Sequence, residues 1–305
     1  MISIIICSIN QDYLHNVSEN ISKTIGIEYE LLVWDNRYEK KGICEAYNRT
    51  AARAKYPYLC FLHEDILFDT TNWGGILSGL FASQPEVGVI GIAGSAYKSA
   101  MFSGWFTSTR GFDYYNITHR VNGVDHPWRQ PGAGERGVHP VVCIDGVFIA
   151  CRKEVWAGTP FDADQLNGFH FYDIDFSVRA ARKCQVIVTM DIHLFHITQL
   201  GDYGNSWVET AMLYHTANAG LFPFFLDSSL PPQQVKQVEL QVARSWLDRL
   251  KNEKISLKNR IRWIHRQRLH RQFLSLWYPI LRFLVFKPLK LYKVQRLIKR
   301  NPSSN

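Results

Sequence analysis

The chain has 305 residues, 46% of them hydrophobic, so it can bury a large core and is too apolar to be disordered throughout. Its net charge of +8 hides an asymmetry: residues 1–253 hold all 27 acidic side chains and 21 of the 35 basic ones, a net of −6. The remainder carries fourteen basic residues and no acid, which points to an anionic partner, a membrane or a nucleic acid. Six cysteines, at 7, 44, 60, 143, 151 and 184, form no Cys-x-x-Cys pair; they argue against a disulfide framework or zinc site and predict buried free thiols in a reducing compartment.

The first element is the β-branched run Ile2 to Cys7, too short for a signal peptide and typical of a central parallel strand. Ser8-Ile9-Asn10 follows as its polar end. Tyr13 to Ile25 has helical character and stops at Gly26. Tyr29 to Trp34 is a second strand, closed by Asp35-Asn36. Ile43 to Ala54 predicts a helix, and Tyr58 to Leu62 a third strand closed by His63-Glu64-Asp65. Polar groups therefore end all three strands at one edge, the edge where open α/β sheets bind ligands. Carboxylates there suit a divalent cation holding a phosphate.

Trp73 to Ala82 reads as a helix and Val87 to Ala93 as a fourth strand. Residues 94–140 lack periodicity and are expected to form a long functional or mobile loop. Val141 to Cys151 reads as a strand broken by Asp145-Gly146, Asp173 to Arg182 as a helix, and Gln185 to Met190 as a strand before His193-Leu194-Phe195-His196. Pro231-Pro232 opens an amphipathic helix with Val235, Val238, Val242, Trp246 and Leu250 on one side.

In order along residues 1–220, Ser8-Ile9-Asn10, Glu30 to Asn36, Glu45-Ala46-Tyr47-Asn48, Phe61 to Asp65, Trp73-Gly74, Asp145 to Phe148, Gly168 to Phe176 and His196 form a series. This series resembles the inverting, family-2-like glycosyltransferases of the GT-A fold, and within them the subgroup first noted in a streptomycin biosynthesis cluster. The resemblance implies a Rossmann-like mixed sheet flanked by helices, and the charge distribution adds a basic helical C-terminal extension. It implies a catalytic domain at 1–228, to which apolar spacing adds an amphipathic helix at 229–253 and charge adds a basic tail at 254–305.

The same resemblance implies a nucleotide-diphosphate sugar as donor and a divalent cation, Mn²⁺ or Mg²⁺. Phe61 to Asp65 would stand at the Asp-x-Asp metal motif, with Asp65 as ligand and His196 as a further ligand. His63 replaces the usual first Asp, and imidazole suits Mn²⁺ better than Mg²⁺. Ser8, Asn10, Asp35, Asn36, Asn48, His63 and Glu64 would line the nucleotide and diphosphate side. Asp173 would be the base that takes the acceptor's proton, with His170 its rival. Asp145, His170, Asp175, Trp105, Trp128 and Arg129 would border the sugars.

In the tail, Phe273 to Phe286 is strongly apolar but too short for a bilayer span, contains Arg282 and is interrupted by Pro279. Residues 254–305 are expected to bind an anionic membrane as an amphipathic anchor, or else to pack on the globule. The functional expectation is a cytoplasmic enzyme, peripheral on the inner face of the cell membrane. It would add sugar to a saccharide or lipid-linked saccharide in cell-surface glycan assembly. The alternatives are an inactive binding module that keeps the fold and a nucleic-acid-binding protein driven by the tail; nucleic acid is not the expected partner, because no recognised module accompanies the tail.

Overall fold

The computed structural model describes residues 1–129, 136–197, 203–272 and 274–285. Ile2–Ser8 sits inside a seven-stranded sheet, parallel to Tyr29–Asp35 on one side and Tyr58–Leu62 on the other. Its apolar run is explained by cover on both faces, since Ile4, Ile5 and Ile6 have no exposed surface. Beyond Tyr58–Leu62 come Phe148–Arg152, Val87–Gly91, Gln185–Thr189 and Val138–Val141. Phe148–Arg152 is antiparallel to both its neighbours, so the sheet is mixed. The helices Gln11–Thr24, Ile43–Ala51, Trp73–Ser83 and Tyr172–Ala181 flank it. Asn10 starts the first of these, its side-chain oxygen accepting from the amides of Asp12 and Tyr13 at 3.0 and 3.2 Å.

The described residues of 94–140 are not the loop that their sequence suggests. Asp113–Val121 is a nine-residue strand at the centre of a second sheet, between Ala93–Ser95 and Leu194–His196, with Val124–Arg129 also paired to it. Its alternation is lost because polar residues are buried along with apolar ones: Asn116, Thr118 and His119 are each less than 9% exposed. Asn116 and Thr118 are satisfied by Met190 O and by His193 Nε2, at 2.9 Å each. Ile66–Phe68 pairs with Leu194–His196 in the same sheet, which draws His196 up beside Asp65.

Pro232–Leu250 braces the segment between Ala93–Ser95 and Asp113–Val121, two paired strands of the second sheet. Trp246 Nε1 donates to Phe106 O at 3.0 Å, Ser245 Oγ lies 2.5 Å from Ser108 Oγ, and Tyr97 OH donates to Glu239 at 2.9 Å. From farther along, Gln267 Oε1 accepts from the Phe102 amide at 2.7 Å. Leu257–Arg266 and Trp277–Val285 stack on this layer with Trp263 and Phe283 fully buried between them. Pro279 does not interrupt the last helix, because it falls in the first turn, where an amide proton is not needed. Among the described residues no helix is long and apolar enough to cross a membrane. All six cysteines are free; Cys44, Cys60, Cys143 and Cys151 are buried, and Cys7 and Cys184 partly so.

Candidate active site

The ends of Ile2–Ser8 and Tyr58–Leu62 are tied together by Glu64. Its carboxylate accepts from Ser8 Oγ at 2.6 Å, from the Ile9 amide at 3.2 Å and from the Asn10 amide at 3.0 Å. With Glu64 turned back, His63 and Asp65 face the other way, toward His196. Asp65 Oδ2 is 3.3 Å from His196 Nε2, and Asp65 Oδ1 is 3.8 Å from His63 Nδ1. One ligand atom from each of the three residues lies within 4.8 Å of the others. Burial pushes the Asp65 carboxyl upward, but the hydrogen bond and charge of His196, with His63, outweigh it and hold the group at about 2.

The Tyr172 hydroxyl lies between Gly146 O at 3.2 Å and His63 Nε2 at 2.8 Å. The second contact holds the His63 ring with Nδ1 turned toward the carboxylate of Asp65, 3.8 Å away, and is the kind of outer support that orients a ligating imidazole. Two imidazoles and one carboxylate fit a divalent transition metal such as Mn²⁺ better than Mg²⁺.

The neighbouring carboxylates come from the Asp145-Gly146 turn and the start of Tyr172–Ala181. Asp145 is held by the Val147 amide at 2.9 Å and by Trp105 Nε1 at 2.6 Å. Asp173 accepts from the Gly146 amide at 2.9 Å. Removal from water, and then the charge of Asp145, raise Asp173 to about 7. The close fit of this corner depends on Gly146, where a Cβ would collide with the Tyr172 hydroxyl. Phe171, just before the helix, adopts φ +68°, a strained conformation for a bulky residue, with its ring set against Trp207, Tyr214 and His215.

An aromatic wall completes the site. Trp128 stacks on Tyr115 at 4.1 Å, and Trp105 and Phe106 lie 5.6 and 5.5 Å from Trp128. His119 sits 5.5 Å from both Trp128 and His196, as the cross-strand partner of His196. Its Nδ1 is buried and has no hydrogen-bond partner. Burial drops this ring to about 4, so it is neutral and has one nitrogen able to donate. Sequence reading passed over His119 because its strand was hidden; polar residues at 116, 118 and 119 between aromatics were the available signal.

The structure thus brings His63, Asp65, His196, Asp145, Asp173, Trp105 and Trp128 to one place, with Ser8, Asn10 and Glu64 at its edge. Asp35 is the cross-strand partner of Ser8, is exposed and pairs with Arg37 at 2.6 Å. Asn36 bonds the backbone of Lys41 through both ends of its amide, at 2.7 and 2.9 Å. Asn48 is committed elsewhere, to Phe161 N and O and Trp156 Nε1. Asp175 makes a two-pronged pair with Arg179 at 2.6 and 2.8 Å and is turned into the fold. His170 lies beside Phe169, whose exposed ring reaches 5.6 Å from that of His63. The Arg129 side chain lies outside the described residues.

A mixed sheet with a second small sheet beside it, and an acidic and imidazole cluster at the strand ends, define a GT-A glycosyltransferase fold. The chain belongs to the glycosyltransferase-like family, whose profile matches residues 3–212. Among solved structures it is similar to Staphylococcus aureus TarS, residues 1–349, at 11% identity and a TM-score of 0.50, covering 93% of this chain and 89% of that one. TarS in complex with UDP matches over the same shares at 13% identity and a TM-score of 0.50. GalNAc-T7 with UDP, GalNAc and Mn²⁺ matches 65% of this chain and 44% of its own at 11% identity and a TM-score of 0.48. The chain thus spans less than half the length of GalNAc-T7. A search of curated proteins gives no match.

Proposed function

We propose that the protein transfers a sugar, with inversion, from a nucleotide-diphosphate sugar to a saccharide or lipid-linked saccharide. The observation that carries this is the cluster of His63, Asp65 and His196, with ligand atoms within 4.8 Å of one another, one hydrogen-bonded corner away from Asp173. Asp65, His63 and His196 would hold a divalent cation, Mn²⁺ by preference, which supplies positive charge against the leaving diphosphate. Asp173 takes the proton of the acceptor hydroxyl as that oxygen attacks the anomeric carbon. Asp145, gripped by Trp105 and Val147, lies beside Asp173 and helps keep it basic. His119 donates from its unpartnered nitrogen to an oxygen of the bound sugar or diphosphate, and the Trp105–Trp128 wall offers apolar faces to sugar rings.

The acid-free, basic stretch 254–305 supports a peripheral place on the inner face of the cell membrane, with the acceptor carried by lipid in surface-glycan assembly. A thermal-shift screen of nucleotide sugars with and without Mn²⁺ tests the core of the reading. Wild type should be stabilised by a donor only when the metal is present, and Asp65→Ala should lose that shift. Asp173→Asn should keep the shift and lose turnover by roughly 10²- to 10⁴-fold. Turnover that survives in Asp173→Asn removes the assigned base, and no metal-linked nucleotide binding at all removes the function.

A further inference from the structure

Trp277–Val285 is apolar on two sides, and the fold uses one of them. Leu276 and Phe283 are buried and Ile280 and Leu284 are partly covered. On the opposite stripe Trp277 is 69% exposed, Leu281 50% and Val285 70%, with Tyr278 and Leu274 beside them. Water-facing aromatics and aliphatics spaced three and four residues apart form a contiguous stripe. The helix is not free to turn this stripe inward. Arg260, itself buried, clamps its end by donating to Phe283 O at 2.5 Å while also holding Glu253 O at 2.7 Å and Ile255 O at 3.1 Å.

The neighbouring Leu257–Arg266 is built the same way. Trp263 and Ile264 point inward, while Leu257 and Ile261 are exposed one turn apart, flanked by exposed Lys258 and Arg262. Arg266, Arg268, Arg271 and Arg282 are exposed as well, and no acidic residue occurs anywhere in 254–285. Apolar stripes whose own helices carry cations and no acid are the surface complement of an anionic bilayer interface, where Trp and Tyr rings settle at headgroup level.

We propose that the exposed stripe of Trp277–Val285, with Leu257 and Ile261, docks on an anionic lipid surface as a rigid platform. This rests on the membrane part of the reading above and is independent of sugar transfer. Because the platform is bolted through Pro232–Leu250 to the segment carrying Trp105, docking would set the orientation of the active site toward the lipid. A floppy tether would not.

The test is flotation of the full chain with vesicles of phosphatidylcholine alone or mixed with phosphatidylglycerol. Binding should need the anionic lipid and fall as salt rises. Trp277→Ser with Leu281→Ser should weaken binding about tenfold or more without lowering the melting temperature, since both side chains already face water. Lys290→Glu with Lys293→Glu, outside the described residues, should weaken it less. Unchanged binding in the first variant with loss in the second would overturn the platform while leaving membrane attachment in place. No binding to either vesicle by wild type would overturn both. Preferential binding of a single-stranded RNA oligomer, lost in the first variant, would assign the stripe to nucleic acid and overturn the proposal.

Discussion

Asp173 keeps its proton to higher pH than an ordinary carboxyl because the fold withdraws it from water and sets Asp145 beside it. Its folded value of about 7 lies above the unfolded one, near 3.8, so the native state binds the proton more tightly. The stabilisation this gives is present at pH 4 and is lost as pH rises through about 7. Activity runs the other way, because a base works only when deprotonated. Subtracting the denaturation midpoints of Asp173→Asn from those of wild type across pH 4–8 should give a difference that declines with pH, while wild-type turnover climbs over the same range.

His119 offers a second residue-scale check. An unpartnered buried polar atom costs on the order of 1–3 kcal/mol, and an apolar replacement of similar shape relieves it. His119→Phe should raise the stability of the free protein by up to ~1 kcal/mol and weaken donor binding severalfold in calorimetry. A variant that loses stability and binds donor normally would make His119 a packing residue.

At the scale of elements, the site is a meeting of three pieces: the end of Tyr58–Leu62, the Asp145-Gly146 turn and the start of Tyr172–Ala181. Gly146 is where they touch, because its carbonyl lies 3.2 Å from the Tyr172 hydroxyl and its amide donates to Asp173. Gly146→Ala would drive a methyl into the Tyr172 hydroxyl. The variant should lose about 1–3 kcal/mol of stability, as overpacked sites do, and the Tyr172 contact that orients the His63 ring. Chemical denaturation measures the first effect and the metal-dependent thermal shift the second.

The elements also show what a sequence can reveal. Ile2–Ser8, Tyr29–Asp35 and Tyr58–Leu62 were legible because burial on both faces demands an unbroken apolar run, and their polar ends marked the ligand edge. The metal-ligand role of Asp65 and the base role of Asp173 rested on family resemblance, and the structure adds the neighbours of each, His63 and His196 for the first and the Gly146 amide for the second. Asp113–Val121 stayed hidden because Asn116, Thr118 and His119 are buried polar residues whose partners lie some 75 positions away at 190–196, or are missing. Phe171 gave no sign of its positive φ, since nothing local asks for it; packing against Trp207, Tyr214 and His215 imposes it.

At the scale of the molecule, the catalytic sheet and the C-terminal helices share one interior. Trp207 and Trp246 stack at 4.8 Å, and the Arg249 guanidinium lies 5.3 Å from the Phe106 ring. The aromatic wall beside the candidate catalytic groups is therefore backed by residues far along the chain. Expressed alone, residues 1–228 should keep the candidate ligands and base yet expose the Trp207 face. Such a fragment is expected to aggregate and to show no metal-linked stabilisation by a donor, measured by light scattering and thermal shift.

The bracing of Phe106 by Trp246 makes the recognisable part of this chain smaller than its working part. The family profile ends at residue 212, and the indole that holds Phe106 in place stands 34 positions beyond it. Two proteins could therefore agree at every aligned catalytic position and still differ in which sugar they accept, because their C-terminal helices press differently on the same aromatic wall. Specificity in this protein would then be inherited from a region that alignment of the shared domain never compares.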